Sequence, residues 1–334
     1  MTANLNKTMT DNLELPMCLL DWIDKDNLNW DYLSQNINAI QLLRENPDKI
    51  SWIRLTQNSS LDAIQLLKAN PDKINWEGLS YNPNAMGLLR ENPDKINWKN
   101  LSKNSNAIEL LRENPDKIVW NLLSLNPNAI ELLRENPDKI YWEYLSDNPN
   151  AIELLKANPD KINWYYLSYN PNAMELLREK PDKINWENLS LNPSAIDLLK
   201  ANPDKIDWNC LSLNPSALEL LRENPDKINW YYLSSNPNAI ELLRKIQIQL
   251  NCNCLSQNSS LDAILLLREN PNNIYLNYIY LSRNPSIFTY DYEKMRENML
   301  LFKEDLMKER FHPRNLRKFS SWGHNGGINE DDEE

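Results

Sequence analysis

The side chains on which catalysis most often depends are scarce in this chain. Among its 334 residues there are two histidines, His312 and His324, and both lie near the C-terminal end. The residues before His312 therefore hold no complete Ser/His/Asp set. The chain has five glycines and no glycine-rich phosphate loop. These features predict a protein that is not an enzyme, with no catalytic residues and no cofactor.

The four cysteines, Cys18, Cys210, Cys252 and Cys254, give only a weak metal signal. Zinc pairs are normally spaced Cys-x-x-Cys, whereas a single residue separates Cys252 from Cys254. We favour reduced structural thiols over a metal site, which suits a cytosolic compartment. We therefore expect no bound metal.

Charged residues are numerous, but their arrangement indicates a solvated surface. Carboxylates recur at fixed positions, such as Glu109, Glu131 and Glu153, whereas catalysis needs one preorganised place. The formal net charge of −11 disfavours binding to nucleic-acid phosphates. No run of 18 apolar residues occurs and Met1–Asp11 is polar, so we expect neither a membrane-spanning segment nor a signal peptide.

A repeat of 22 residues dominates the sequence. Tryptophan marks it at Trp30, Trp52, Trp76, Trp98, Trp120, Trp142, Trp164, Trp186, Trp208 and Trp230. Consecutive tryptophans are 22 residues apart, except for 24 between Trp52 and Trp76. Cys252 occupies the next position, and a degenerate unit follows around Leu276. A Leu-Ser pair, once Leu-Thr, follows each of these positions and gives twelve units.

Each unit carries the signals of two short helices. Most units hold two Asn-Pro pairs, for example Asn114-Pro115 and Asn126-Pro127. Asparagine is a preferred N-cap, and proline suits the first helical position, so each pair is predicted to begin a helix. After Pro127 the leucines and charged residues separate onto opposite faces, as in an amphipathic helix.

The helix at Trp120 is predicted to turn Leu123 and Ser124 inward with the tryptophan. Ile118 would then fall on the opposite side. Either the regular helix starts after Ile118, or its first turn is a 3₁₀ helix.

Two columns of identical residues run through the units. One is an asparagine that recurs at Asn36, Asn58, Asn82, Asn104, Asn126, Asn148, Asn170, Asn192, Asn214, Asn236, Asn258 and Asn284. We interpret it as a cap, with or without a hydrogen bond to the adjacent unit, because a chemical site rarely needs twelve copies. The tryptophan column is interpreted as a buried stripe rather than an exposed aromatic platform, since such short helices need tertiary burial to persist.

These patterns predict an all-α solenoid, or superhelix, of about twelve 22-residue helical hairpins. Stacked in single file at about 8–10 Å per layer, twelve units would span roughly 100 Å. We divide the chain into an N-terminal segment and cap (1–28), the repeats (29–288), a C-terminal capping helix with a basic segment (289–319) and a disordered acidic tail (320–334).

An open array needs a polar-faced cap at each end. In front of the first unit lies an apolar cluster of Leu15, Leu19, Leu20, Trp22 and Ile23. Behind the last unit, residues from about 290 to 310 are predicted to form a longer helix. Its stripe of Met295, Met299, Phe302 and Leu306 is interpreted as covering the last repeat rather than binding a membrane or cofactor. The basic stretch from Lys308 to Lys318 either contacts an anionic partner or is solvated, and we favour the latter.

The unit from Asp226 to Leu243 reads Asp-Lys-Ile-Asn-Trp-x-x-Leu-Ser-x-Asn-Pro-Asn-Ala-Ile-Glu-Leu-Leu. It resembles the tandem repeats of proteins from mimivirus-like giant viruses, and the two ends of the chain resemble that family's ends. The resemblance implies a viral gene product, with no activity to transfer. The architecture is also loosely similar to the leucine-rich repeat variant, which alternates α and 3₁₀ helices.

We therefore expect a non-catalytic scaffold that binds a host or viral protein in the cytoplasm of an infected cell. The alternative is a structural or assembly component of the virus particle. Three positions after each tryptophan vary between units, and tyrosines gather there, namely Tyr144, Tyr165, Tyr166, Tyr169, Tyr231 and Tyr232. Tyrosine is enriched at interface hot spots, so these six are the candidate protein-binding residues. Simple shielding of the outer face is the competing interpretation, and the oligomeric state is left open.

Overall fold

The computed structural model describes residues 15–245, 250–270 and 276–310. The predictions for Met1–Asp11, for the two histidines, for the basic segment beyond Arg310 and for the tail at 320–334 lie outside these residues. So do those for the side chains of Phe302 and Leu306.

The predicted all-α repeat solenoid is confirmed. Each regular repeat holds a 3₁₀ turn and two short α-helices, and we number the repeats 1 to 12. The first helices are Trp30–Gln35, Trp52–Leu55, Trp76–Leu79, Trp98–Leu101, Trp120–Leu123, Trp142–Leu145, Trp164–Leu167, Trp186–Leu191, Trp208–Leu213, Trp230–Leu233, Cys252–Gln257 and Tyr278–Arg283. The second helices are Ile40–Arg44, Leu61–Lys68, Met86–Glu91, Ile108–Arg112, Ile130–Glu135, Ile152–Ala157, Met174–Glu179, Ile196–Lys200, Leu218–Glu223, Ile240–Arg244 and Leu261–Glu269.

Short 3₁₀ turns precede most first helices. They are Pro47–Lys49, Pro71–Lys73, Pro93–Lys95, Pro115–Lys117, Pro137–Lys139, Pro159–Lys161, Pro181–Lys183, Pro203–Lys205 and Pro225–Lys227. Further 3₁₀ turns are Lys25–Asn27, Pro83–Ala85, Pro127–Ala129 and Pro285–Ile287. After Pro115–Lys117 the chain is extended at Ile118, which is buried, and the α-helix begins at Trp120. Both alternatives left open for this segment therefore hold, because a 3₁₀ turn comes first and the regular helix starts after Ile118.

The asparagines of the two Asn-Pro pairs in a repeat form different hydrogen bonds. Asn114 does not cap the turn that follows it, so that prediction is wrong. Its side-chain Nδ2 instead donates to the Leu110 carbonyl at 2.9 Å and closes the end of the preceding second helix. The first helix is usually capped by the residue just before the tryptophan, as where Asn97 Oδ1 accepts from the Asn100 amide at 3.0 Å.

The asparagine column joins neighbouring repeats. Asn126 is buried, and its Oδ1 accepts from the Asn128 amide at 3.1 Å. Its Nδ2 donates to the Ser102 carbonyl at 3.2 Å and the Asn104 carbonyl at 3.0 Å, both in the repeat before. The structural interpretation of this column is confirmed, with the inter-repeat hydrogen bond. A serine column adds a second link, since the Val119 amide donates to Ser102 Oγ at 3.0 Å.

The tryptophan column is half-buried, so the prediction of a buried stripe is wrong in degree. The fully buried positions are smaller side chains, such as Leu123, Ala129 and Leu133. At four of the tryptophans a lysine of the next repeat lies over the ring. Lys117 Nζ, for example, lies 4.7 Å from the centre of the Trp98 ring.

The described chain divides into two compact units, one of residues 19–289 and one of the residues before 19 with those after 289. Within the first unit the repeats do not form an open array, because repeat 1 packs directly on repeat 12. Asn36 Nδ2 donates to the carbonyls of Ser282 and Asn284, both at 3.0 Å. The Asn29 amide donates to Ser282 Oγ at 2.8 Å. The asparagine bonds are those that join every other pair of neighbours, so the twelve repeats form a closed ring.

Closure corrects three predictions. A single file of about 100 Å is wrong, because the last layer returns to the first. The face of repeat 12 that a C-terminal cap was expected to cover is occupied by repeat 1, and the front face of repeat 1 by repeat 12.

The marker position of the twelfth repeat belongs to Tyr278 rather than to Leu276. Ser282 Oγ donates to the Tyr278 carbonyl, as serines elsewhere donate to a tryptophan carbonyl.

The ends of the described chain pair as strands. Strand β1 (Met17–Leu19) and strand β2 (Phe288–Tyr290) form a two-stranded sheet. The predicted longer helix is present at Tyr292–Arg310. Within it Met295 is half-buried and Met299 is exposed. In the N-terminal cluster Ile23 is buried, Trp22 is half-buried and Leu15 is exposed.

Candidate binding surface

Variation between repeats is concentrated on the first helices. The positions one, two and five after each marker residue differ from repeat to repeat and are half-buried or exposed in most repeats. We call the surface that they form the first-helix surface. The second helices instead expose a regular pattern of charges, which pair between repeats, as Lys68 does with Glu91 at 3.1 Å. The first-helix surface is therefore the part of the ring whose side chains differ from one repeat to the next.

First helices pack against those of neighbouring repeats, as Trp186–Leu191 packs against Trp208–Leu213.

Repeats 6 and 7 bring several tyrosines together. The rings of Tyr141 and Tyr144 lie 4.9 Å apart, and those of Tyr165 and Tyr166 meet edge to face at 5.3 Å. Tyr144 and Tyr166 occupy the same position in adjacent repeats, and burial, followed by the nearby Glu143 and Tyr144, raises the pKa of Tyr166. Tyr169 follows on the same segment, with its amide donating to the Tyr166 carbonyl at 3.1 Å. We call Tyr141, Tyr144, Tyr165, Tyr166 and Tyr169 the tyrosine patch.

The burial of these rings differs in a way that suits a contact surface. Tyr165 and Tyr169 are 54% and 49% exposed, whereas Tyr144 and Tyr166 are half-buried. Partly buried rings are held in place by their neighbours, while exposed rings offer apolar area and a hydroxyl to a partner.

Three members of this surface were missed from the sequence. Tyr141 stands where most repeats have the Asn or Asp that caps the first helix, and that departure is a usable signal. The carboxylates of Glu143 and Asp147 also lie here, and after burial they are among the causes that raise the pKa of Tyr166. Burial raises the pKa of Asp147 itself. Among the described residues neither carboxylate forms an ion pair, in contrast to Glu175 with Lys156 in the second helices.

Tyr231 and Tyr232 do not join the tyrosine patch. They lie in repeat 10, with ring centres 5.4 Å apart, and three repeat steps separate them from repeat 7. Their neighbours are the Cys254 thiol, which is the main cause of a raised pKa at Tyr231, and Tyr280. Because the ring is closed, Tyr280 is followed by Tyr32 of repeat 1. The six candidate tyrosines therefore belong to two separate places on the first-helix surface.

A polar cleft occupies another part of the first-helix surface, in repeats 1 to 4. It has a volume of about 370 Å³ and is lined by Gln35, Gln57, Gly78, Tyr81, Asn100 and Lys103. Gly78 opens it, since the same position holds a larger side chain in every other repeat. A Cβ on Gly78 would lie 2.6 Å from Thr56 Oγ1, so the glycine is also a packing requirement.

The cysteines and carboxylates are not arranged as a reactive centre. All four cysteines are free thiols, and burial, followed by the nearby Asp207, raises the pKa of Cys210 to about 11. Across the described residues no cluster of His, Cys, Asp and Glu side chains could hold a metal ion. In the same part of the chain no helix is long and apolar enough to cross a membrane.

Comparison with protein-family models, curated proteins and solved structures gave no match to this chain.

Proposed function

We propose that this protein is a non-catalytic binding ring that holds a protein partner on the first-helix surface, with the tyrosine patch as its main anchor. The observation that carries the proposal is the contrast between the two helix layers. The second helices repeat one charge pattern, whereas the first-helix surface of two adjacent repeats carries five tyrosines, with ring contacts between Tyr141 and Tyr144 and between Tyr165 and Tyr166. Grouped aromatic side chains at an otherwise polar surface are the usual form of an interface hot spot.

The closed ring bears on the alternative role in a virus particle. A spacer or cement rod would need free end faces for further stacking, and repeats 1 and 12 use theirs on each other. This favours a scaffold over a rod. The resemblance of the repeats to those of giant-virus proteins supports a host or viral partner in an infected cell.

The test replaces Tyr144, Tyr165, Tyr166 and Tyr169 together with serine in the full chain. The variant and the wild type are immobilised, exposed to host-cell lysate, and the captured proteins are compared by mass spectrometry. The helical circular dichroism signal should change little, because these rings lie outside the fully buried leucine core. A partner retained by the wild type and lost by the variant is the expected result.

Two further variants make the test selective. Tyr165→Ser with Tyr169→Ser removes only the two most exposed rings of the patch, so folding is kept. Tyr231→Ser with Tyr232→Ser is the matched control, with the same chemistry in repeat 10. Capture that survives in the four-residue variant would refute the tyrosine patch as the anchor. A large loss of melting temperature would instead show that these tyrosines belong to the core.

A further inference from the structure

We propose that the tyrosine patch binds cationic side chains, so that its partner presents a lysine- or arginine-rich segment. This rests on the proposed function and goes beyond it by naming the chemistry of the partner. Three independent features of the described residues carry it.

The first feature is the electrostatics of the patch. The negative faces of aromatic rings attract ammonium and guanidinium groups, with the cation within about 6 Å of the ring centre. In repeats 6 and 7 the rings of Tyr144 and Tyr166 are accompanied by the carboxylates of Glu143 and Asp147. Within the described chain no basic side chain pairs with either carboxylate. An incoming cation would therefore gain both interactions at once.

The second feature is that this chain already uses the same contact on its own aromatic rings. The lysine of the 3₁₀ turn covers the tryptophan of the preceding repeat, with Nζ to ring-centre distances of 4.6 Å at Trp30 and Trp52, 4.7 Å at Trp98 and 4.8 Å at Trp186. Cation–π contact therefore recurs in this fold over half-buried aromatic rings.

The third feature is an internal precedent in the same column as the patch. Tyr32 occupies in repeat 1 the position that Tyr144 and Tyr166 occupy in repeats 6 and 7. Arg54, at that position of repeat 2, places its guanidinium carbon 5.0 Å from the Tyr32 ring centre. The corresponding neighbour of Tyr144 is Tyr166, and that of Tyr166 is Asn188. The cation that Tyr32 receives from its own chain is thus missing at the patch, where a partner would supply it.

The polar cleft is the other candidate binding site, and its charge is opposite to that of the tyrosine patch. The cleft of repeats 1 to 4 contains Lys103 and amide side chains and no carboxylate among its lining residues. A basic segment would be repelled there. A basic partner is therefore expected to dock on the tyrosine patch of repeats 6 and 7 and not on the cleft of repeats 1 to 4.

The test measures binding of fluorescein-labelled synthetic peptides to the full chain by fluorescence anisotropy. The peptides have equal length and alternate serine with lysine, arginine, glutamine or glutamate. The lysine and arginine peptides should bind, and the glutamine and glutamate peptides should bind at least fivefold more weakly. Affinity for the lysine peptide should fall as salt is raised, because exposed charge contacts are screened.

The decisive variant is Glu143→Gln with Asp147→Asn. It should weaken lysine-peptide binding about fivefold or more, within the range expected for a few exposed charge and cation–π contacts. The matched control, Asp31→Asn with Glu77→Gln, removes two negative charges from the first-helix surface outside repeats 6 and 7 and should bind as the wild type does. Tyr144→Phe with Tyr166→Phe keeps the rings and should retain binding, whereas Tyr144→Leu with Tyr166→Leu should lose it.

Three results would overturn the inference. Equal loss of binding in the charge variant and its control would show that only net charge matters. Preference for the glutamate or glutamine peptide would show that the patch recognises other chemistry. If the captured partner needs the tyrosines while the charge variant still holds it, the proposed function stands and the cationic specificity falls.

Discussion

The side-chain amide of Asn36 donates to the carbonyl oxygen of Asn284 at 3.0 Å, across 248 residues of sequence. The same bond joins Asn126 to Asn104 at 3.0 Å in adjacent repeats. Repeat 1 therefore follows repeat 12 as any repeat follows its predecessor. This relationship turns a linear array into a ring and removes its two exposed end faces.

Replacing Asn36 with alanine should destabilise the protein as much as replacing Asn126. Each change leaves two buried carbonyls and one backbone amide without their side-chain partner, at about 1 kcal/mol apiece, or about 2–3 kcal/mol in all. In an open array the Asn36 change would cost only the lost cap, about 1 kcal/mol. Urea denaturation of both variants decides the matter, and a clearly milder effect at Asn36 would contradict closure.

The lysine over Trp98 should contribute measurably to stability. Lys117→Ala is expected to cost about 0.5–1 kcal/mol, because Trp98 loses its cation–π contact. Trp98→Leu should cost more through lost packing, and the two changes together should cost less than their sum. A double-mutant cycle from thermal or chemical denaturation measures the coupling. Lys139→Ala is the control, since its neighbour in the described structure is Asp138 at 3.4 Å. If the losses of stability from the two single changes add up in the double variant, Lys117 and Trp98 are close together without a stabilising interaction.

Gly78→Ala should destabilise the wild type and stabilise a Thr56→Ser background. In the wild type the new Cβ would meet Thr56 Oγ1 at 2.6 Å, and overpacking of that kind costs about 1–3 kcal/mol. Thr56 Oγ1 donates to the Ile53 carbonyl at 2.6 Å, whereas the serines at this position in other repeats turn their Oγ to the marker carbonyl, as Ser80 does to Trp76 at 2.7 Å. Serine at position 56 is expected to take that second orientation, which moves the oxygen away from the new Cβ. Alanine is favoured over glycine inside a helix by about 1 kcal/mol, a gain that then appears.

Denaturation midpoints of the wild type, both single variants and the double variant test the Gly78 prediction. Gly87→Ala is the control, because nothing lies within 4 Å of its added Cβ. The same sign of the Gly78→Ala effect in both backgrounds would exclude Thr56 as the cause.

Asp147→Asn should raise the melting temperature at pH 7. Burial raises the pKa of Asp147, so the folded state holds the proton more tightly than the unfolded state does. Ionisation of this group therefore lowers stability as the pH rises through its folded pKa, and asparagine avoids that loss. The advantage of the variant should shrink towards about pH 3, below the ordinary aspartate pKa of about 3.9. Glu77→Gln, at an exposed carboxylate, serves as the control, and a lower melting temperature for Asp147→Asn at pH 7 would contradict the assignment.

The sequence by itself determined the repeat and its local structure. The period of 22 residues, the Asn-Pro pairs and the separation of Leu133 from Glu131 on the second helix are local properties, and the α and 3₁₀ turns follow from them. The buried asparagine column was also readable, because a polar residue kept in twelve equivalent places indicates a backbone bond that every repeat needs. The tyrosines of repeats 6 and 7 could also be identified from the sequence, because they differ from the residues at the same positions in most other repeats.

The tertiary structure alone decided the closure and the surroundings of the tyrosines. Closure depends on the total of the small rotations between neighbouring repeats over twelve steps. No local sequence pattern predicts that total. The cation–π contact between Lys117 and the half-buried Trp98 of the preceding repeat arises from the stacking of neighbouring repeats. The place of Asp147 beside Tyr166 likewise required packing between repeats, since side chains far apart in sequence meet only when the layers stack.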